Sequence, residues 1–418
     1  MKKLLMIGGG VSGNAVAELS AALDIECCVT SDVQAAQEDL DKIFAGVDLV
    51  VVSPGVLPTS KLYNAAVERN IEVISELELG VRYFPGPMVA VTGTNGKTTT
   101  VELTEFILNK LGVRAVAAGN IGLPLSAVSA KILRGEIAHA EELVAVLEVS
   151  SFQLKHTHQL PAVAAVLLNI ESDHINRYPG GISEYQAVKE RIFAQVPPEN
   201  RFYGMSMSGR NQCGKFAIAA NQLYCENSVL LDLSESALSA PHNQENLLAA
   251  ISLCSCVTDL SVQKSELAAA VREFKTGDHR ISLVAEKNGV KYIDDSKATN
   301  PAAVIAAVKS LQKQMQNNII LIAGGLDKDM DFAPLAALSK YLKKVIVYGR
   351  CGNRIAGVFA GKNEVFDAGS DFALAVKTAH ASAESGDIVL LSPAAASMDM
   401  FKDYKERGNK FAELVSKL

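Results

Sequence analysis

What is missing from this sequence narrows its role before any motif is read. It has no basic excess: 40 Lys and Arg stand against 46 Asp and Glu, a formal net charge of −6. That argues against nucleic acid as a partner, since such binders carry a basic face. It has no apolar run near the ~18 residues needed to span a bilayer, so no membrane insertion is expected. The apolar start Met1-Lys-Lys-Leu-Leu-Met-Ile7 runs into Gly8-Gly-Gly10 too early for a signal peptide and reads as a first strand. The seven cysteines are scattered, with no Cys-x-x-Cys pair. Cys254 and Cys256 fall in an apolar helical stretch and read as core, which fits a reduced, cytoplasmic setting. No internal repeat or low-complexity segment interrupts the chain. With 49% hydrophobic and 21% charged residues the profile is that of a globular enzyme. A chain of 418 residues asks for roughly two to four domains.

What is present is organised around Val89-Ala-Val-Thr-Gly-Thr-Asn-Gly-Lys-Thr-Thr-Thr-Val101. Apolar β-formers run into a Gly/Asn turn, and Lys97-Thr98 opens a helical pattern reaching Gly112. A strand, a turn and a helix in this order make a phosphate loop, where backbone N–H groups and the helix dipole favour an anion. The loop residues Gly93, Thr94, Asn95, Gly96, Lys97, Thr98 and Thr99 are expected to bind ATP. Lys97 would reach the β/γ-phosphates, and the Thr98 hydroxyl would hold Mg²⁺. The general pattern wants glycine five residues before Gly96, where this chain has Val91.

Upstream, Lys3–Gly8 reads as a strand, followed by Gly8-Gly-Gly-Val-Ser-Gly13, a helix to about Leu23 and the strand Ile25–Thr30. This Gly-x-Gly-x-x-Gly suits a nicotinamide dinucleotide, another nucleotide or tight helix–strand packing alike; Asp32 lies near where a ribose-binding acid would fall. The strand Val47–Val52 ends in Ser53-Pro54-Gly55, and Ile71–Ile74 leads to the stiff linker Phe84-Pro-Gly-Pro87, a domain boundary. Downstream, the apolar strands Val144–Leu147 and Val163–Asn169 end in Glu148 and in Glu171-Ser-Asp-His174. Continuous apolar strands suit a parallel sheet covered on both faces, whose carboxyl edge would gather Thr98, Glu148 and His174 as Mg²⁺ ligands. From residue types alone the helix Glu184–Ala194, with Lys189, is a solvated charged face. Asn243 and Asn246 share one face of a helix. Past Lys275 the pattern is again α/β: Tyr292–Asp294, Asn318–Ala323, Lys344–Tyr348 and Asp387–Leu391 are strands, each followed by a polar cluster, before a final amphipathic helix.

These motifs together resemble the Mur ligase family over the whole chain, and within it the branch that adds D-glutamate. The resemblance rests on Thr92–Thr98, Gly119-Asn-Ile-Gly122, Glu148-Val-Ser-Ser-Phe-Gln153, Asp173-His174 with Arg177-Tyr-Pro179, His242-Asn243, His279-Arg280, Asp295-Ser-Lys-Ala-Thr-Asn300, and Ser392-Pro393 through Arg407-Gly408-Asn409. Val91 is also the family's habit. The resemblance implies an α/β fold of three domains. These are a Rossmann-like UDP-binding domain (1–86), a central P-loop ATPase-type parallel sheet (87–276) and a Rossmann-like amino-acid-binding domain (277–418). It implies ATP-dependent joining of D-glutamate to UDP-N-acetylmuramoyl-L-alanine through an acyl phosphate, by a cytoplasmic monomer. Val11, Ser12, Ser53, Pro54 and Gly55 would hold the UDP moiety, which displaces the nicotinamide reading. The family's acid on the uridine side has no aligned counterpart, Thr30-Ser31-Asp32 being shifted. Glu148 and His174, with Asn120 nearby, resemble ligands of a second Mg²⁺. Lys189 falls where the family carries a carbamylated lysine. Asn243, Asn246, His279, Arg280, Asp295 and Lys297 match positions around the nucleotide, with Arg280 supplying charge to the reaction. Thr299, Lys328, Ser397 and Tyr404 match the D-glutamate pocket.

Overall fold

The first strand, β1 (Lys3–Ile7), turns Leu4 and Met6 into one apolar layer and Leu5 and Ile7 into another, all at most 1% exposed. A period-2 strand buried on both faces belongs in a parallel sheet with helices on either side. α1 (Gly10–Ala22), β2 (Glu26–Thr30), α2 (Leu40–Phe44), β3 (Leu49–Val52), α3 (Lys61–Glu68) and β4 (Glu72–Ser75) complete a parallel sheet of order β2-β1-β3-β4. The winding reverses at β1, so the turns after β1 and β3 flank a topological switch point. α4 (Glu76–Arg82) follows β4 directly.

The second sheet begins at β5 (Met88–Thr92), whose Val89, Ala90 and Val91 are fully buried. It is followed by α5 (Lys97–Lys110), β6 (Ala115–Gly119), α6 (Leu125–Leu133), β7 (Val144–Glu148), α7 (Ser151–Lys155), β8 (Ala164–Leu167), α8 (Gly181–Glu190) and β9 (Arg201–Tyr203). The order β6-β7-β5-β8-β9 is parallel throughout. It places the turn after β5 between the ends of β7 and β8. Three short antiparallel strands, β10 (Phe216–Ala219), β11 (Gln222–Cys225) and β12 (Ser228–Asp232), precede α9 (Pro241–Ser255) and α10 (Lys264–Glu273). This small sheet is not legible in the sequence: its strands are short and half-exposed, and a register shift between Leu223 and Tyr224 breaks the alternation.

The last sheet comprises β13 (Ser282–Lys287), β14 (Val290–Asp294), α11 (Pro301–Leu311), β15 (Ile319–Gly324), β16 (Leu342–Tyr348), α12 (Gly352–Phe359), β17 (Glu364–Asp367), α13 (Phe372–Ala381), β18 (Ile388–Leu391) and α14 (Tyr404–Ser416). Its order is β13-β14-β18-β15-β16-β17, parallel except for β13, which pairs antiparallel with β14. Ile319, Leu321 and Ala323 of β15 feed one core layer, and Ile320 and Ile322 the other.

This computed structural model describes residues 1–37, 39–173, 175–207, 213–226, 228–234, 236–239, 241–311 and 317–418. They group into two units, Met1–Ile170 with Pro179–Phe274, and Glu171–Tyr178 with Lys275–Leu418. Among the described residues no helix is long and apolar enough to cross a membrane. All seven cysteines are free, and Cys254 is fully buried.

Candidate active site

The turn after β5 is built by close approach. Gly93 has φ +152°, and a Cβ there would lie 2.9 Å from that of Leu168. Gly96, at φ +84°, is the N-cap of α5, where a Cβ would lie 2.3 Å from Asn246 Oδ1. Only glycine fits either position. The Gly96 cap supplies no side-chain oxygen to α5, so the end of a 14-residue helix meets the turn through backbone alone. Lys97 Nζ donates to the carbonyls of Gly93 at 2.9 Å and Thr94 at 2.8 Å. It therefore arches back over the loop it belongs to. Thr98 and Thr99 are buried, and Thr100 Oγ1 donates to Asn246 Oδ1 at 3.3 Å. Asn243 and Asn246 are both buried in the first turns of α9, which packs on α5.

Glu148 closes β7 and is 4% exposed, so it is no solvated surface charge. Its Oε1 accepts from Asn120 Nδ2 at 2.8 Å, while its buried Oε2 has no hydrogen-bond partner among the described residues. Lys189 is 1% exposed. Its Nζ donates to Gly93 O at 2.7 Å and sits 4.7 Å from the centre of the Tyr185 ring. The solvated-face reading of this helix is therefore corrected at Lys189. Tyr185, Val188 and Lys189 share the buried stripe of α8 at helical spacing. That spacing is the signal in the sequence that marks Lys189 as inward-facing. His174 lies outside the described residues.

A residue that sequence reasoning passes over supports the loop. Asn169, just past β8, accepts from Thr94 N through its carbonyl at 3.0 Å and from Asn95 N through Oδ1 at 2.8 Å. Its Nδ2 donates to Asn95 O at 3.2 Å.

At the switch point of the first sheet, α1 starts from Gly9, which again offers no side-chain cap. A Cβ on Gly8 (φ +102°) would lie 2.3 Å from Ser53 Oγ, so the turns after β1 and β3 abut. Val11, Ser12, Ser53, Pro54 and Gly55 are thereby brought to one edge, with Val11 exposed. Asp32 turns elsewhere: its Oδ1 accepts from Ser60 Oγ at 3.1 Å and Leu62 N at 3.0 Å, fixing the start of α3.

In the second unit the turns after β14, β15 and β18 meet. Leu326 N donates to Ala396 O at 2.7 Å, drawing the Lys328 and Ser397 loops together. Ser392 Oγ donates to Asp295 Oδ2 at 2.7 Å. Burial pushes the Asp295 carboxyl up to about 8, against the Ser392 hydrogen bond, with neighbouring Asp294 adding to the rise. His279 Nδ1 lies 2.6 Å from Asp294 Oδ2, and Lys297 Nζ sits 4.0 Å from the centre of the Tyr404 ring. The backbone of Tyr404 accepts from Ser296 Oγ at 2.8 Å. Arg407, fully buried on α14, donates to Ser296 Oγ and O and to Ala395 O, tying together the turns after β14 and β18. Arg280 and Thr299 are partly exposed at the start and end of the same stretch.

Residues 91–222 match the Mur ligase middle domain, and residues 279–395 the Mur ligase glutamate ligase domain. The chain is 37% identical over 398 residues to the UDP-N-acetylmuramoylalanine–D-glutamate ligase of Dechloromonas aromatica, covering 90% of this chain and 85% of that one. Against the enzyme of the same name from Escherichia coli K12 the identity is 35% over 398 residues, covering 90% and 86%. Among solved structures, the UDP-N-acetylmuramate-alanine ligase MurC of Thermotoga maritima superposes with a TM-score of 0.61 at 17% identity, over 100% of both chains. The Mycobacterium tuberculosis folylpolyglutamate synthase complexed with ADP gives 0.58 at 15% identity, over 80% of this chain and 92% of that one. At such identities these two describe the shared α/β fold.

Proposed function

The chain belongs to the Mur ligase family, and from that premise we propose how its residues carry out the family's chemistry. The protein is an ATP-dependent ligase that adds D-glutamate to UDP-N-acetylmuramoyl-L-alanine in peptidoglycan precursor synthesis. The observation that carries the catalytic reading is the convergence of Lys97 and Lys189 on Gly93 O, together with a buried Glu148 that has one oxygen unpartnered among the described residues. Residues 1–86 form a Rossmann-like UDP-sugar-binding domain, 87–276 a P-loop ATPase-type domain and 277–418 a Rossmann-like domain for the amino acid. The enzyme works as a cytoplasmic monomer.

A carboxylate is a poor acyl donor because its leaving group would be oxide. The L-alanine carboxylate of the UDP-sugar therefore attacks the γ-phosphate of ATP, ADP leaves, and the amine of D-glutamate then displaces phosphate from the acyl phosphate. Anion meets anion in the first step, so positive charge must be in place beforehand. Lys97 leaves the Gly93 and Thr94 carbonyls to meet the phosphates, and Arg280 adds a second cation. Asn243 and Asn246 are the first unit's further candidates for contact with the nucleotide, and His279, Asp295 and Lys297 are the second unit's. Val11, Ser12, Ser53, Pro54, Gly55 and Asn120 hold the UDP-sugar, with α1 presenting its uncapped end to the pyrophosphate. Asp32 Oδ1 is engaged at the start of α3. Thr299, Lys328, Ser397 and the Tyr404 backbone orient D-glutamate; holding its amine against the acyl carbon is worth up to ~7–11 kcal/mol in ideal geometry.

Two Mg²⁺ fit the donors present. Thr98 offers a hydroxyl at the phosphate loop, and Glu148 Oε2 is a hard, buried oxygen without a partner among the described residues. The remaining ligands would be substrate oxygens, water, His174 and a modified Lys189. When bound, the ions neutralise charge on the transferring phosphoryl group. A carbamate on Lys189 would keep one N–H on Nζ while replacing the cation by an anion, which a bound cation would favour.

The test is ADP release with ATP, Mg²⁺ and UDP-N-acetylmuramoyl-L-alanine, with and without D-glutamate. Turnover that needs both substrates supports the ligase, and Lys97→Ala abolishes it. Turnover without D-glutamate, or a fully active Lys97→Ala, overturns this assignment.

A further inference from the structure

The parallel ladder between β5 and β8 pairs Thr92 with Leu167 and continues through Leu168 N to Thr92 O at 2.9 Å. Beyond that point the two chains separate, yet the pairing goes on: Thr94 N reaches Asn169 O, and the Asn169 carboxamide takes over from the backbone. It accepts from Asn95 N and donates to Asn95 O, as another strand residue would. A carboxamide can do this in only one orientation. Rotated by half a turn, it would set NH₂ against N–H and carbonyl against carbonyl.

The segment that carries Asn169 is fixed from its other side as well: Gly204 N donates to Leu167 O at 3.0 Å, and a Cβ on Gly204 would lie 2.0 Å from Leu168 O.

We propose that Asn169 is a positioning residue for the nucleotide loop, its carboxamide setting Asn95 and the turn to Gly96 for phosphate before ATP arrives. This rests on the reading of residues 93–98 as the nucleotide loop.

The experiment uses the full-length chain, with KM for each substrate, kcat, calorimetric ADP affinity and melting temperature for Asn169→Ala and Asn169→Asp. Loss of one or two neutral hydrogen bonds, about 0.5–1.5 kcal/mol each, corresponds to a rise of about 2- to 150-fold in KM for ATP and in the ADP dissociation constant. Asn169→Ala is expected in that range, with KM for the UDP-sugar held within about twofold. Asn169→Asp, which is isosteric but sets an oxygen against Asn95 O, weakens ADP binding likewise. ADP affinity unchanged in either variant overturns the proposal. Should Asn169→Ala fail to fold, the isosteric Asn169→Asp decides alone. Lys97→Ala run alongside separates the two readings, because a fully active Lys97→Ala removes the nucleotide loop itself.

Discussion

Asp295 and Lys189 are both ionisable, both buried, and neither can be understood from its residue type. Asp295 titrates near 8 instead of its ordinary 3.8, chiefly because burial penalises the charged form. The native state thus holds its proton where the unfolded chain has lost it. The contribution of this carboxyl to stability is full below pH 3.8, falls as pH rises toward about 8, and is level above that. Asp295→Asn keeps an oxygen for the Ser392 hydroxyl and removes the titration. Without nucleotide, the melting-temperature advantage of Asp295→Asn over the unmodified protein should widen steadily between pH 4 and pH 8; a constant difference would count against the buried proton. Lys189 has the opposite sign and a similar setting. Its ammonium is held by Gly93 O, beneath the residues proposed to meet phosphate. Removing one preorganised electrostatic group typically costs about 10²–10³ in kcat. Lys189→Ala should lose ADP release on that scale and regain part of it with a short-chain carboxylic acid filling the carbamate's place. An unimpaired variant would leave Lys189 a packing residue.

At the scale of elements, α4 joins the first sheet to the second. α6 starts from Pro124, which cannot cap it, and the missing acceptor comes from Glu76: its Oε1 accepts from Ser126 N at 3.0 Å and from Ser126 Oγ. Glu78 Oε2 accepts from His158 N at 2.6 Å, and Ser129 Oγ donates to Gly80 O at 2.9 Å. Gly80 is required because a Cβ there would lie 2.6 Å from Ser126 N. Glu76→Ala leaves a buried N–H without a partner and should destabilise the unit by about 1–3 kcal/mol in chemical denaturation. Glu76→Gln, which keeps an acceptor, should lose less; equal losses would show that charge rather than capping matters. The apolar strands are legible in the sequence because burial on both faces leaves unbroken runs such as Val89–Val91 and Ile319–Ala323. The edge strand β13 and the β10–β12 sheet are not, since partly exposed strands share their composition with loops.

For the whole molecule, the two units carry separate cores, one set built on the first two sheets and one on the third. The residues proposed for the UDP-sugar all lie in the first unit, and those proposed for D-glutamate all lie in the second. A ligand at ~100 times its dissociation constant adds about 2.7 kcal/mol to whatever binds it. Calorimetric unfolding should therefore resolve two transitions, one raised by the UDP-sugar alone and the other by D-glutamate alone. A single transition, or one moved by both ligands, would contradict this division.

The sequence by itself determined what is local. Backbone turns that only glycine can make, strands buried on both faces and the lysine that opens α5 leave their mark within a few neighbouring residues, and the family motifs are built from such runs. What only the tertiary structure decided depends on partners far along the chain. Asp32 was engaged by Ser60 and Leu62, Asn95 was met by Asn169, and Lys189 was turned to Gly93. A side chain's charge, proton and orientation are set by the atoms that exclude water from it, and those atoms come from elsewhere in the fold.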